Sequence, residues 1–161
     1  MARICIPDYE YKERVQRCAA ILRREQLDVL IVNGNEADYA NPRYFSGFWP
    51  LFERAGVAIA ANGDAALMVG PESSIFGADR NKLDKIFVLL AYREGADPAY
   101  PELKPDTFHD VFKAIGVTVR TSVSVLLPTW IPPLLSSTLS RKPSPRLRSL
   151  TLARSWSSCA A

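Results

Sequence analysis

From Asp8 onward the apolar residues Tyr11, Val15, Cys18 and Leu22 recur at spacings of four, three and four, with Ala19 and Ile21 beside them. Arg14, Arg17, Arg23 and Arg24 fill the other directions, so the spacing predicts an amphipathic helix of about five turns. Asp8, directly after Pro7, is placed to cap it. Asp28-Val-Leu-Ile-Val32 then switches to a short, β-branched apolar run, the pattern of a buried strand. Residues 33–54 are polar and then aromatic and read as a loop, with Pro42 and Pro50 in or beside an eleven-residue stretch that holds Tyr39, Tyr44, Phe45, Phe48 and Trp49. Gly56–Ala61 and Ala65–Val69 flank Asn62-Gly63-Asp64, a tight-turn sequence, and predict a β-hairpin. A helical stretch from Gly70-Pro71 to about Leu83, a buried strand over Lys85–Ala91, a proline-rich loop through Pro98, Pro101 and Pro105, and a helix from Asp106 to Ile115 follow. Gly116 stops that helix. Val117-Thr-Val119 opens one more strand, whose unpaired edge predicts poor solubility. The order, helix, strand, loop, hairpin, helix, strand, helix, strand, defines an α/β fold with a mixed β-sheet flanked by helices, followed by an irregular C-terminal tail.

Charge changes that picture at one place. All 17 acidic residues precede residue 111, and residues 1–120 carry 15 Lys and Arg, a net of −2. The last 41 residues hold five Lys and Arg and no acid or glycine, but ten serines, eight leucines and five prolines. This sets a boundary near residue 120, between a domain over 1–120 and a basic Ser/Leu/Pro/Arg-rich tail over 121–161. The net charge of +3 belongs to the tail and does not mark the main body as a binder of nucleic acid or membrane.

Candidate chemistry is sparse. The single histidine, His109, lies beside Asp110 on the last predicted helix, where such a pair reads as a solvated face. There is no HExxH, no GxSxG and no glycine-rich phosphate loop. Cys18 falls on the apolar side of the first helix and reads as core. Cys5, Cys18 and Cys159 make no CxxC pair, a usage that suits a reducing cytoplasm. No secretory leader is visible, and the most apolar stretch, Val123–Leu139, is interrupted by Pro128, Pro132 and Pro133. A cytoplasmic protein with no nucleic-acid or membrane partner is therefore expected. The exception to this inertness is Arg43–Arg54, which places two arginines and several aromatic residues in one region, the composition of a substrate or partner rim. Tyr44, Phe45, Trp49 and Arg54 are its candidate contact residues.

Asp28-Val-Leu-Ile-Val32, then Asn41-Pro-Arg-Tyr-Phe-Ser-Gly-Phe48, then a hairpin and Gly70-Pro71, together resemble the N-terminal domain of the creatinase/prolidase/Xaa-Pro aminopeptidase superfamily, over about residues 8–120. Asn41, Tyr44, Phe45, Ser46, Gly47 and Phe48 match its N-x-x-Y-hydrophobic-[S/T]-G-[F/Y] element. The resemblance implies a non-catalytic α/β domain that, in a dimer with a second identical subunit, caps the neighbouring active site and helps select substrates. It also implies that the two divalent metal ions of the parent family, manganese for example, belong to a separate catalytic domain. On that basis the chain is a truncated fragment with no catalytic residues, no metal ligands and no cofactor of its own. The alternative is a free-standing α/β module that binds a small ligand or protein through the same aromatic segment.

The tail lacks the helix, strand and linker the resemblance implies, and the genetic code offers an explanation. Read one base back, Trp130 (TGG) yields Leu, Met or Val, each Thr yields Asp, Asn, His or Tyr, and Lys142 can yield Glu. With the wobble bases chosen freely, the shifted tail can read as acid-containing sequence with an amphipathic helix, a strand and a Val-Glu-Leu-Arg linker in that order. A frame lost between about Val119 and Ser122 is expected, leaving the tail out of frame and disordered. A natural basic arm for nucleic acid or acidic lipid is the weaker rival, since its five charges are spread without interleaved aromatics.

Overall fold

The computed structural model describes residues 5–94 and 103–117 and the backbone of 123–126, all within one compact unit, Met1–Trp130. Its elements are α1 (Asp8–Arg24), β1 (Val29–Gly34), α2 (Ala40–Ser46), β2 (Ala55–Ala60), β3 (Ala65–Val69), α3 (Ser74–Arg80), β4 (Ile86–Val88), a 3-10 turn (Leu90–Tyr92), α4 (Phe108–Ala114) and β5 (Val123–Leu126). The strands form one mixed sheet in the order β4-β3-β2-β1-β5. The β1–β2 and β2–β3 pairs are antiparallel, while β1–β5 and β3–β4 are parallel.

Strand alternation sorts the sheet into two cores. Leu30, Val32, Val57, Ile59, Leu67 and Val69 face one side, where Val15, Cys18 and Leu22 of α1 meet Phe45 and Phe48. Val29, Ile31, Ala58, Ala60, Ala66 and Met68 face the other, under Tyr92 and the Val111 and Ile115 side chains. Both faces are covered, which explains why β1 and β2 are apolar almost throughout. Each fully buried Leu, Ile or Val contributes roughly 1.5–3 kcal/mol.

Helix α1 begins one residue earlier than the sequence implies. Pro7 takes the N-cap position with no side-chain cap, and Asp8 is the first helical residue. The Asp8 carboxylate instead pairs with Lys82 Nζ at 3.0 Å. Both long-range helix ends close in the same way. After α4, Gly116 at φ 69° lets the Val117 N–H reach the Phe112 carbonyl (2.8 Å) and its own N–H reach Lys113. After α1, Gln26 occupies the equivalent left-handed position at φ 57°, with Leu27 N–H bonded to the Leu22 carbonyl at 2.9 Å.

Three expectations are corrected by this geometry. Residues 33–54 are not all loop, because 40–46 form α2; Pro42 sits in its first turn, where a missing N–H costs nothing. The strand expected over Lys85–Ala91 is confined to three residues, since the chain turns at Leu90 to drive Tyr92 into the core. Val117 belongs to no strand; it closes α4, and the final strand is β5. Residues 118–120 of the expected strand lie outside the described residues, as do Pro98, Pro101 and Cys159. β5 itself lies past the compositional boundary at residue 120.

The hairpin turn is a three-residue loop. Gly63 N–H bonds to the Ala60 carbonyl and Ala60 N–H to the Asp64 carbonyl, and only Gly63, at φ 96°, is left-handed. Asn62 holds the turn from its side chain, accepting from Asp64 N–H and donating to the Ile115 carbonyl at 3.0 Å.

Candidate functional site

The aromatic motif is first of all a device for ending α2. Ser46, fully buried, donates its hydroxyl to the Pro42 carbonyl (2.7 Å) and accepts from Phe48 N–H (3.2 Å). Gly47 follows at φ 74°, a left-handed cap that returns its N–H to the Arg43 carbonyl. A hydroxyl, a glycine and flanking core aromatics are what this turn requires. Phe45 and Phe48, 1% and 0% exposed, point inward from it.

What the turn leaves outside divides into separate neighbourhoods. Tyr44 is partly exposed and lies against Arg14, whose guanidinium sits 4.4 Å from the Tyr44 ring centroid and 5.1 Å from that of Tyr11. Arg14 donates to the Tyr44 carbonyl at 2.8 Å and to Glu10 at 2.8 Å, so its charge is spent on holding α2 to α1. Trp49, half-buried, meets Phe76 of α3 edge-to-face at 5.7 Å, and Phe76 meets Phe48 at 5.6 Å. Two guanidinium groups flank that indole, Arg43 at 5.1 Å from its centroid and Arg80 at 5.9 Å. Arg54 lies elsewhere: its N–H bonds to the Tyr92 carbonyl at 3.2 Å.

Of the four candidate contact residues, then, Tyr44, Trp49 and Arg54 reach the surface in three places, and Phe45 is in the core, touching Tyr44 at 5.0 Å. The geometry brings Arg43 and Trp49 together with Tyr39, Phe76 and Arg80 instead. Arg80 and Phe76 were not legible as partners, because they come from a helix about thirty residues on, and no local period links them to the motif.

Two buried polar groups anchor the segment that follows this surface, one on each face of the sheet. Glu53, 1% exposed, accepts from the Ser73 N–H at 2.8 Å at the start of α3 and lies against Gly70, where any Cβ would collide with its carboxylate. That contact ties the segment after Trp49 to α3. On the opposite face Tyr92 donates to Asn33 Oδ1 at 2.5 Å, and Gly56, paired with Asn33 across the β1–β2 ladder, leaves room for both. Burial pushes the Tyr92 phenol well above the ordinary tyrosine range, against a smaller opposing pull from Arg54.

The metals that the resemblance implies find no matching donor set here. Among the described residues no three His, Cys, Asp or Glu side chains converge in a metal-holding group, and the buried carboxylate of Glu53 is engaged by backbone N–H donors. Cys18 is buried, and desolvation pushes its thiol up to about 11, so it is no nucleophile near neutral pH. His109 and Asp110 lie exposed on α4, where the Asp110 carboxylate completes a capping box with Thr107. Those hydrogen bonds hold its carboxyl below the usual range. No helix of the described residues is long and apolar enough to cross a membrane.

A mixed sheet covered by helices on both sides, with a serine–glycine turn between α2 and β2, defines an α/β domain. The profile of the creatinase/prolidase N-terminal domain matches residues 14–128, and the chain belongs to that family. Among solved structures, the chain is similar to the dipeptidase PepE from Mycobacterium ulcerans, at 14% identity and a TM-score of 0.49, covering 80% of this chain and 31% of that one. A Xaa-Pro aminopeptidase structure from Streptococcus pyogenes aligns at 14% identity and a TM-score of 0.46, over 76% and 94% of the two chains. The prolidase from Pyrococcus horikoshii OT3 aligns at 14% identity and a TM-score of 0.44, over 71% and 32%. The chain thus spans about a third of the length of the dipeptidase and prolidase chains. No match was found among curated protein sequences.

Proposed function

We propose that the chain is the capping and dimerisation domain of a Xaa-Pro peptidase or creatinase-like metal-dependent hydrolase, here a truncated fragment without the metal-binding catalytic domain, and that alone it hydrolyses nothing. The observation that carries this reading is the family match over residues 14–128 to an N-terminal domain, in which the recognisable motif is spent on structure. Phe45, Ser46, Gly47 and Phe48 build a turn and a core, and none is presented to a reacting atom. The exposed residues around that turn, Tyr44 and Trp49 with Arg43, are those a cap would turn toward a partner. A second identical subunit is the natural partner of this reading, and the cytoplasm its compartment. Nucleic acid and membrane have no part in it.

The tail reading belongs to the same proposal. A change of frame would account for the loss of acid and glycine after residue 120, but β5 and the last matched residues, to 128, lie beyond a junction at Val119–Ser122 and speak against one so early. Sequencing the locus tests both parts. Two Asp, one His and two Glu in family order, downstream and in another frame, are the expected result. An intact frame through the junction with no such domain downstream contradicts the fragment and favours the free-standing binding module.

A further inference from the structure

We propose that Arg43, Trp49 and Arg80 form an oxyanion site, taking a carboxylate or phosphate group on a guanidinium–indole platform. Arg43 and Arg80, from two different helices, lie 5.1 and 5.9 Å from one indole centroid, so an anion beside that ring meets positive charge from both. Asp79 relieves Arg80 through its Nε at 2.9 Å, an exposed pair of neighbouring residues that holds weakly. Among the described residues no hydrogen bond or ion pair engages the Arg43 guanidinium. The contrast with Arg14 is instructive. Arg14 also lies over tyrosine rings but spends its N–H groups on Glu10 and the Tyr44 carbonyl, so it is structural. A planar guanidinium offers paired N–H donors that match the two oxygens of a planar oxyanion.

The platform is held from the core outward. Buried Phe48 supports Phe76, and Phe76 supports Trp49 edge-to-face. The ends of α2 and α3 are joined by the Lys82 N–H to Ser46 carbonyl bond at 2.8 Å, which ties together the backbones that carry Arg43 and Arg80. Each arginine also lies in the last turn of its helix, which favours the cation there without using its donors.

This inference deepens the rim reading at Trp49 by naming the ligand chemistry. Its failure is separable from failure of that reading, which is decided at the gene locus. The test uses the full chain with Trp130→Phe and Trp156→Phe, so that Trp49 is the sole tryptophan and is excited selectively over the tyrosines. Sodium phosphate and N-acetyl-aspartate are titrated in turn against sodium chloride at matched ionic strength. Saturable change in Trp49 emission is expected with at least one of them, weakened at least about fivefold by Arg43→Gln or by Arg80→Gln. Saturation with N-acetyl-aspartate alone assigns a peptide-type carboxylate, with phosphate alone a phosphate, and with both the shared oxyanion chemistry. Changes that are linear and equal to those of chloride overturn the proposal, as does saturation unaltered in the Arg43→Gln/Arg80→Gln chain. The titration of the parent chain is decisive even if a glutamine variant does not fold, and Arg43→Lys, which keeps charge but not the planar fork, is expected to bind more weakly than arginine.

Discussion

Asp106 and Val88 exchange two hydrogen bonds of 2.8 Å, from the Val88 N–H to Asp106 Oδ2 and from the Asp106 N–H to the Val88 carbonyl. Lys85 and Leu89 direct their backbone groups to β3, so by alternation those of Val88 face away from the sheet. One residue thus stands in for a neighbouring strand and closes part of an edge open to another chain. Asp106→Ala is expected to cost about 1–2 kcal/mol in denaturant unfolding and to promote concentration-dependent association in light scattering. Asp106→Asn, which retains an acceptor, should do much less. An alanine variant as monodisperse as the parent would show that the edge needs no such guard.

Glu53 and Gly70 are expected to behave as one unit. Glu53→Ala leaves the buried Ser73 N–H unsatisfied and should cost about 3 kcal/mol, Glu53→Gln about 1 kcal/mol. Gly70→Ala places a methyl about 2.4 Å from the Glu53 carboxylate and should destabilise strongly in the parent but far less beside Glu53→Ala. Additive losses in that double-mutant cycle would refute the coupling.

The left-handed ends of α1 and α4 carry opposite substitutions. Gly116→Ala should cost about 1 kcal/mol, because φ 69° strains any Cβ-bearing residue. Gln26→Gly should gain about 0.5–1 kcal/mol by relieving the same strain at φ 57°. Thermal unfolding of both variants against the parent measures the signs.

How much was legible in the sequence follows from how local each cause is. The α1 period, the Asn62-Gly63 turn and the Gly116 stop depend on residues within a few positions, and all three are present as read. Helix α2 was hidden because Pro42 and Pro50 look like breakers, although Pro42 stands where a helix tolerates it. The short β4 was hidden because Leu90–Tyr92 are as apolar as a strand, and only the distant Asn33 and Gly56 explain why Tyr92 must turn inward. The candidate surface was half legible for the same reason. Arg43 and Trp49 lie in one motif, whereas Arg80 and Phe76 reach them only through folding.

Alkaline pH should weaken the fold through Cys18. Its folded value of about 11 lies above the ordinary 9.0, so the folded state holds its proton longer than the unfolded chain does. Stability is then complete below about pH 9 and falls between pH 9 and 11, at up to about 1.4 kcal/mol per pH unit. Cys18→Ala should flatten the curve from pH 8 to 10, before Tyr92 begins to add a loss of the same sign from about pH 10. An equally steep fall in the alanine variant would assign the effect elsewhere.

The proposed role turns on whether this polypeptide can perform hydrolysis unaided. Purified chain incubated with manganese and a Xaa-Pro dipeptide should release no proline above a protein-free blank. Release that rises in proportion to the chain's concentration, and that a chelator abolishes, would contradict the assignment of a non-catalytic cap.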